Sequence, residues 1–382
     1  MVHINIGSNL GDRRKIVAKA AAMIEERLGV KARRAPLVET PAWGFESANK
    51  FLNLGIAFET GIDHVSLLRV LGEIERSIDP SPHRDASGGY IDRAIDIDLI
   101  AAGGTVIESA ELTLPHPRMR DRRFVLLPMA ALEPSWIDPL SGKSVAVLLA
   151  EEWKGRLLDA ANPDKRAVLS RFFKTGPGEY GEGDVFIGLT VPENRAIARD
   201  YHAAPLETVA CMLRSPEHEY RLSGFLALVA RYKKLRDPEE RRRTVDFYLD
   251  NAERANNWDL VDLSCYEIVG AYVVATGETD ILDGLSDSGN LWRERIAIVS
   301  TMAMVRAGEM SMTLKLAEKY LTHPHQLIHK ATGWLLREAG KRDIGALTGF
   351  LDRHAAEMPR TALRYAVEKL PEERRHHYMK LK

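Results

Sequence analysis

Hydrophobic spacing changes character part-way along the chain. Up to about residue 150, two periods alternate. VHINIG and KFLNLGIAFET place apolar residues at every second position, as strands do, while RRKIVAKAAAMIEERLG and HVSLLRVLGEIERSI repeat them every three to four, as amphipathic helices do. Glycine and proline punctuate these runs at Gly7, Gly11, Pro41, Gly44, Pro80 and Pro115. The expectation is an α/β domain. From about Ala167 the strand period fades, and apolar helical runs follow one another across short turns: EYRLSGFLALVARYKKL, RRTVDFYLDNAERA, DLVDLSCYEIVGAYVVATG, LWRERIAIVSTMAMVRAGE, QLIHKATGWLLREAGKR and IGALTGFLDRHAAE. Tandem helix pairs without an exact repeat predict an all-α solenoid. The polar stretch DAANPDKRAV reads as the connection. The expected division is 1–158, a linker at 159–166, and 167–382.

Composition narrows the setting. The chain has 382 residues, 45% apolar and 28% charged, as expected of a soluble protein with real cores. Two cysteines, Cys211 and Cys265, argue against a disulfide framework or a cysteine-ligated zinc and for a reducing, cytoplasmic setting. No run of eighteen apolar residues and no charged-then-apolar leader is found, so no membrane role is expected. A net charge of -1 offers no global field for nucleic acid; only the segment from Lys330 to Lys382 is clearly basic.

Chemistry in the first half centres on YIDRAIDIDLI. In a strand, Ile95, Ile97 and Leu99 share one face and Asp96 and Asp98 the other, the carboxylates about 7 Å apart along the chain. Like charges so placed raise each other's pKa unless a cation lies between them. A solvated edge strand and a cation site both fit the pair alone. The neighbours weigh toward the site: Arg93 precedes the aspartates, LPHPRMRDRRF crowds His116, Arg118, Arg120, Arg122, Arg123 and Phe124, and ETPAWGFESANKFLN gathers Trp43, Phe45, Phe51 and Asn53. Carboxylates, magnesium, a polyphosphate and arginine forks make a coherent set, with the aromatics and Asn53 suited to a flat heterocycle. The glycine-rich turn NIGSNLGDRR adds backbone N–H groups at a helix start.

The motifs IGSNLGDR, ETPAWG, FLN, EIER, RAIDIDLI and LPHPRMRDRRFVLLPM, in that order, make residues 1 to about 155 resemble the 6-hydroxymethyl-7,8-dihydropterin pyrophosphokinases of folate biosynthesis. The resemblance implies a ferredoxin-like α/β fold and transfer of pyrophosphate from ATP to the pterin hydroxymethyl oxygen, releasing AMP. It implies two magnesium ions held with ATP by Asp96 and Asp98, and catalysis aided by Arg93. Phe51 and Phe124 would sandwich the pterin, with Asn53, Thr40, Trp43 and Gly44 at its edge. Glu75, His116, Arg118, Arg120 and Arg122 would meet the nucleotide. One stretch departs: where the family's mobile loop carries a Gly-Arg-x-Arg run, this chain has RSIDPSPHRDASGG, leaving Arg84 and His83 as substitutes.

In the second half, NNWDLVD sets Trp258 and Asp262 four apart, on one helix face. Such a pair is commonly a core ring and a helix-turn carboxylate. Trp334 and Arg295 lie on other helices, and a solenoid's concave face could gather all four. Aromatic faces attract a cationic base, and a carboxylate stabilises a sugar turning cationic as its glycosidic bond breaks. The motifs RFFKTGPGEYGEGDVFIGLTVPENR, NNWDLVD, LWRERIAIVS, IHKATGWLLREAGKRD and MPRTALRYAVEKLPEERR make residues from about 167 on resemble DNA alkylation repair glycosylases of the AlkD type, built of HEAT-like repeats. The resemblance implies excision of N3- and N7-alkylated purines from double-stranded DNA without a cofactor. Asp262 would be catalytic, Trp258 and Trp334 would flank the lesion, Arg295 would grip the backbone and Phe172 would stand where relatives place a DNA-contacting tyrosine. Two competing readings remain: a helical half that binds DNA or acts as a scaffold without catalysis, and a first half reduced to nucleotide sensing.

Overall fold

A computed structural model describes residues 1–85 and 88–381 of the chain. They divide into two compact units, Met1–Ala160 with Ala203–Met212, and Ala161–His202 with the chain from Leu213 on.

The first unit is built on β1 (Val2–Ser8), buried along its whole length. Helix α1 (Arg13–Leu28) follows, then the short strands β2 (Arg33–Arg34) and β3 (Val38–Thr40), β4 (Phe51–Phe58), α2 (His64–Ile78) and β5 (Asp96–Ala102). The sheet order is β2-β4-β1-β5, with β3 also on β4, and every pairing is antiparallel. This is the expected ferredoxin-like α/β arrangement. Val17, Ala20 and Ile24 of α1 and Leu67, Leu71 and Ile74 of α2 share one core with Ile4, Ile6, Ile56 and Ile97 of the sheet. Helix α3 (Arg123–Leu132) packs on β4 and on α4 (Val145–Asp159). With helices against it, β4 is buried at every position, which is why its sequence is almost continuously apolar. On β5 the forecast alternation holds: Ile97 and Leu99 are buried and Asp96 and Asp98 half-exposed.

The second unit is helical. Helix Leu291–Ala307 packs on Gln326–Arg342, and that helix on Arg360–Ala366. The last contact is close enough that a Cβ on Gly333 would lie 2.3 Å from the Ala362 carbonyl oxygen. The helix expected over DLVDLSCYEIVGAYVVATG breaks into Trp258–Asp262, a π-helical turn at Tyr266–Gly270, and Ala271–Thr276. Ser264 explains the break: its hydroxyl donates to the Leu260 carbonyl four residues back, a bond that bends helices.

The connection also differs from expectation. Asn162 N–H donates to Gly188 O at 3.0 Å and Arg166 Nε to Ile187 O at 3.1 Å, so the stretch taken for a linker is held within the second unit. The segment Ala203–Met212 belongs with the first unit. There the buried Thr208 donates its hydroxyl to Ala146 O of α4 at 3.2 Å. Burying a polar side chain this way requires a partner, and α4 supplies it.

Candidate functional sites

Strand register assembles the first site. Gly7 of β1 faces Asn53 on β4 and Asp96 on β5. A Cβ there would sit 3.2 Å from Asn53 Oδ1 and 3.5 Å from the Phe51 ring, so glycine leaves that space open. Asn53 is buried, and its amide donates to Thr40 Oγ1 at 3.2 Å. Thr40, Trp43, Phe51, Asn53, Arg93, Asp96, Arg122 and Phe124 line one cavity. With Phe45, nine residues expected at the site are thus brought together. Tyr90 joins them; it was missed, and its only signal was an aromatic just before the paired aspartates.

The cavity is electrostatically unfinished. Arg93 donates to Asp96 at 2.5 Å and Arg122 reaches Asp98 at 3.4 Å. Arg122 also lies over the Trp43 ring at 4.7 Å and the Phe124 ring at 5.5 Å. Yet Nε and Nη1 of Arg93 and Nε of Arg122 are buried without a partner among the described residues. Buried donors in that state call for an acceptor, and an anionic substrate provides one. Burial and the Asp96 charge push the Asp98 carboxyl well up. Glu75, whose Oε2 accepts from Ile97 N at 2.7 Å, is pushed up to about 7, mainly by burial and also by both aspartates. Donor atoms of Glu75, His83 and Asp96 lie within 4.8 Å of one another. Crowded carboxylates that titrate late are what a divalent cation relieves; the oxygens of Asp96, Asp98 and Glu75 are the hard donors magnesium takes, and the His83 nitrogen is not. His116 is pushed down to about 4 by burial and by Arg122 and Arg118, and is neutral at pH 7.

The remaining arginines separate. Arg118 donates to Tyr90 Oη at 3.1 Å, and Arg84 lies 4.3 Å over the same ring while donating to Gly88 O. Arg120, expected at the nucleotide, forks its guanidinium onto the fully buried Asp138 at 2.8 and 3.0 Å, and those two donors hold the chain at 138.

The second site is a cleft of about 380 Å³ in the helical unit, lined by Trp258, Asp262, Arg295 and Trp334, all four expected. Asn257 caps Trp258 N at 2.9 Å, and Asn290 caps the helix that carries Arg295. Tyr180, Leu327, Lys330, Arg337 and Tyr365 complete the wall and were not foreseen. Phe172 is not part of the lining: it is 61% exposed and meets Trp258 edge-on at 6.0 Å. Tyr180, eight residues on, is the aromatic of this segment that lines the cleft.

Arg295, expected to grip the DNA backbone, is buried, and its guanidinium forks onto Asp262, Nε to Oδ1 at 2.9 Å and Nη2 to Oδ2 at 2.7 Å. A third donor goes to Leu327 O. Three of its five N–H groups are thus engaged within the protein, two of them on the carboxylate. Burial pushes the Asp262 carboxyl up, with Arg295 acting against that shift.

Comparison with known proteins settles the kinship of each part. Residues 3–134 match the family of 7,8-dihydro-6-hydroxymethylpterin-pyrophosphokinase, and residues 154–370, more than half of the chain, match the DNA alkylation repair enzyme family. The chain belongs to both families. A 2-amino-4-hydroxy-6-hydroxymethyldihydropteridine pyrophosphokinase of Porphyromonas gingivalis is 36% identical over 140 residues, 36% of this chain and 94% of that protein. Proteins of the same name from Aquifex aeolicus and Bacillus subtilis are 32% and 31% identical, over 37% and 35% of this chain and 86% and 77% of their own. In the loop after α2 of this pyrophosphokinase-family unit, His83 approaches Glu75 at 3.5 Å. Ala86 and Ser87 of that loop lie outside the described residues. No helix among the described residues is long and apolar enough to cross a membrane.

Proposed function

We propose that the chain joins two activities. The first unit transfers pyrophosphate from ATP to 6-hydroxymethyl-7,8-dihydropterin. The observation that supports this most is the single cavity in which aromatic walls, the buried Asn53 and the unpartnered N–H groups of Arg93 and Arg122 meet Asp96. The pterin lies between Phe51 and Phe124, with its edge on Asn53, Thr40 and the turn at Trp43 and Gly44. Asp96 and Asp98 hold magnesium with the nucleotide, and the metal supplies charge neutralisation for the phosphates. Arg93 and Arg122 aim donors at the transferring group, where charge develops. Glu75, neutral His116 and Arg118 bound the nucleotide side, and Arg84 reaches the phosphates when its loop closes. AMP formation from ATP and the reduced pterin tests this reading: Asp96→Ala or Asp98→Ala should abolish it without unfolding the unit. Near wild-type turnover in either variant would sink the metal assignment.

The second unit excises cationic N3- and N7-alkylpurines from double-stranded DNA, on a scaffold of stacked helix pairs of the HEAT-like kind. What supports it is the placement of the Asp262 carboxylate in one cleft with Trp258 and Trp334. The rings receive a cationic base, and the carboxylate stabilises the sugar as it becomes cationic. A second reading, DNA binding without catalysis, draws on the Arg295 fork, which engages both Asp262 oxygens. Release of 7-methylguanine from methylated duplex decides between them. Asp262→Asn should lower it by about 10²–10³-fold while binding persists; binding with no release in the wild type would favour the scaffold.

A further inference from the structure

Behind the helical cleft lies a buried cluster that the proposed chemistry does not use. His218, at the start of helix His218–Lys234, is 1% exposed. Its Nδ1 lies 2.9 Å from Asp184 Oδ2 and its Nε2 2.9 Å from Asp259 Oδ2. Both ring nitrogens can donate only in the imidazolium form. Asp184 has further support from Arg221 at 2.5 Å and Asn256 at 3.1 Å. Asp259 does not: its Oδ1 is buried without a partner, so His218 is what holds its carboxylate. The ring also stacks on Phe186 at 4.6 Å and leans on Phe173 at 5.0 Å, and Phe173 stacks on Trp258 at 5.4 Å. The cleft-lining Trp258 is therefore tied to His218 twice, through its neighbour Asp259 and through Phe173.

We propose that His218 is a positioning residue for the cleft: bridging Asp184 and Asp259, it fixes the single-turn helix Trp258–Asp262 and so sets the Trp258 ring and the Asp262 carboxylate. A helix of five residues cannot hold itself in water. Its N-terminal cap Asn257 satisfies one N–H; its orientation needs a tertiary tie, and the bridge provides one. Burial works against the imidazolium, but the charges and hydrogen bonds of Asp259 and Asp184 outweigh it and push His218 up to about 9. Of the other charged and titratable groups in the cluster, Asp184 is held low and pairs with the Arg221 guanidinium at 2.5 Å, and Tyr180, which feels the Asp259 charge, is pushed above its ordinary value. With the folded value raised, the bridge is intact below the unfolded histidine range and is lost as pH rises through about 9.

The test uses the full chain and the variants His218→Gln and Asp259→Asn; the second keeps the His218–Asp184 pair and cuts only the tie to the helix. Acrylamide quenching of Trp258, obtained as the difference from a Trp258→Phe reference, should be constant in the wild type around neutral pH and change as pH passes about 9, when the ring loses its fixed place in the cleft. Either variant should show the changed quenching throughout. Single-turnover release of 7-methylguanine should fall by about 10–100-fold, as for a catalytic group displaced by an ångström, with DNA affinity little changed. That kinetic arm rests on the glycosylase reading. A wild type that releases no base would refute that reading, while quenching would still decide whether the bridge sets the ring. If His218→Gln does not fold, Asp259→Asn carries the test. Folded variants whose Trp258 quenching keeps the wild-type pH course would overturn the proposal, and so would variants with changed quenching that excise at the wild-type rate.

Discussion

Replacing Arg295 by alanine probes the helical cleft most directly, because this residue forks onto the Asp262 carboxylate. Its side chain is 5% exposed and its partner Asp262 15%. The substitution removes two charge-assisted bonds and leaves a carboxylate with little access to water. Breaking one side of a buried ion pair costs about 3–5 kcal/mol. The loss should depend on pH. Burial already pushes Asp262 up, and Arg295 is what counters it, so without the arginine the carboxyl titrates higher still. A folded-state pKa above the unfolded one means that stability falls as pH rises through it. Arg295→Ala should therefore be nearer to wild type at pH 5 than at pH 8. Urea denaturation of the full chain, followed by tryptophan emission of the helical unit, measures this at both pH values. Pairing Arg295→Met with Asp262→Leu should recover most of the loss, because no unpaired charge remains. The salt dependence of DNA binding should stay at the wild-type slope, as for a guanidinium whose work lies within the protein. A loss below about 1 kcal/mol with no pH trend, or a salt slope lower by about one, would refute the reasoning.

Arg120→Ala should leave pyrophosphoryl transfer near wild type and lower the stability of the first unit by roughly 1–3 kcal/mol, as Asp138 loses buried partners; a raised KM for ATP with unchanged melting would return Arg120 to the nucleotide. With Glu75 raised to about 7, the metal-free first unit should lose stability as pH climbs from the ordinary carboxylate range through 7. Magnesium with nucleotide should offset that loss and Glu75→Gln should flatten it, both read by melting temperature against pH. A fragment ending at residue 158 should melt below one extended with its Ala203–Met212 packing restored by a fused linker, because Thr208 then again meets Ala146. Equal melting of the two fragments would show that the segment adds nothing.

Local periodicity carried much of this protein's design in legible form. The alternation through Asp96 and Asp98 put both carboxylates on the half-exposed face of β5 and the isoleucines inward, because a strand's side chains alternate whatever surrounds it. The four-residue spacing of Trp258 and Asp262 likewise placed both on one cleft. Motif order revealed the two families. Sequence spacing could not say where a long side chain ends. Arg120 and Arg122 are two residues apart, yet one forks onto Asp138 and the other lies over Trp43. Arg295 meets Asp262 across 33 residues. A guanidinium spans several ångströms, and its partner is whichever carboxylate the packing of another element brings within reach. Tyr90 and Tyr180 entered their sites for the same reason, and Ala203–Met212 joined the first unit although its sequence reads like its helical neighbours. Periodicity assigns each residue a face; only the tertiary structure decides what that face meets.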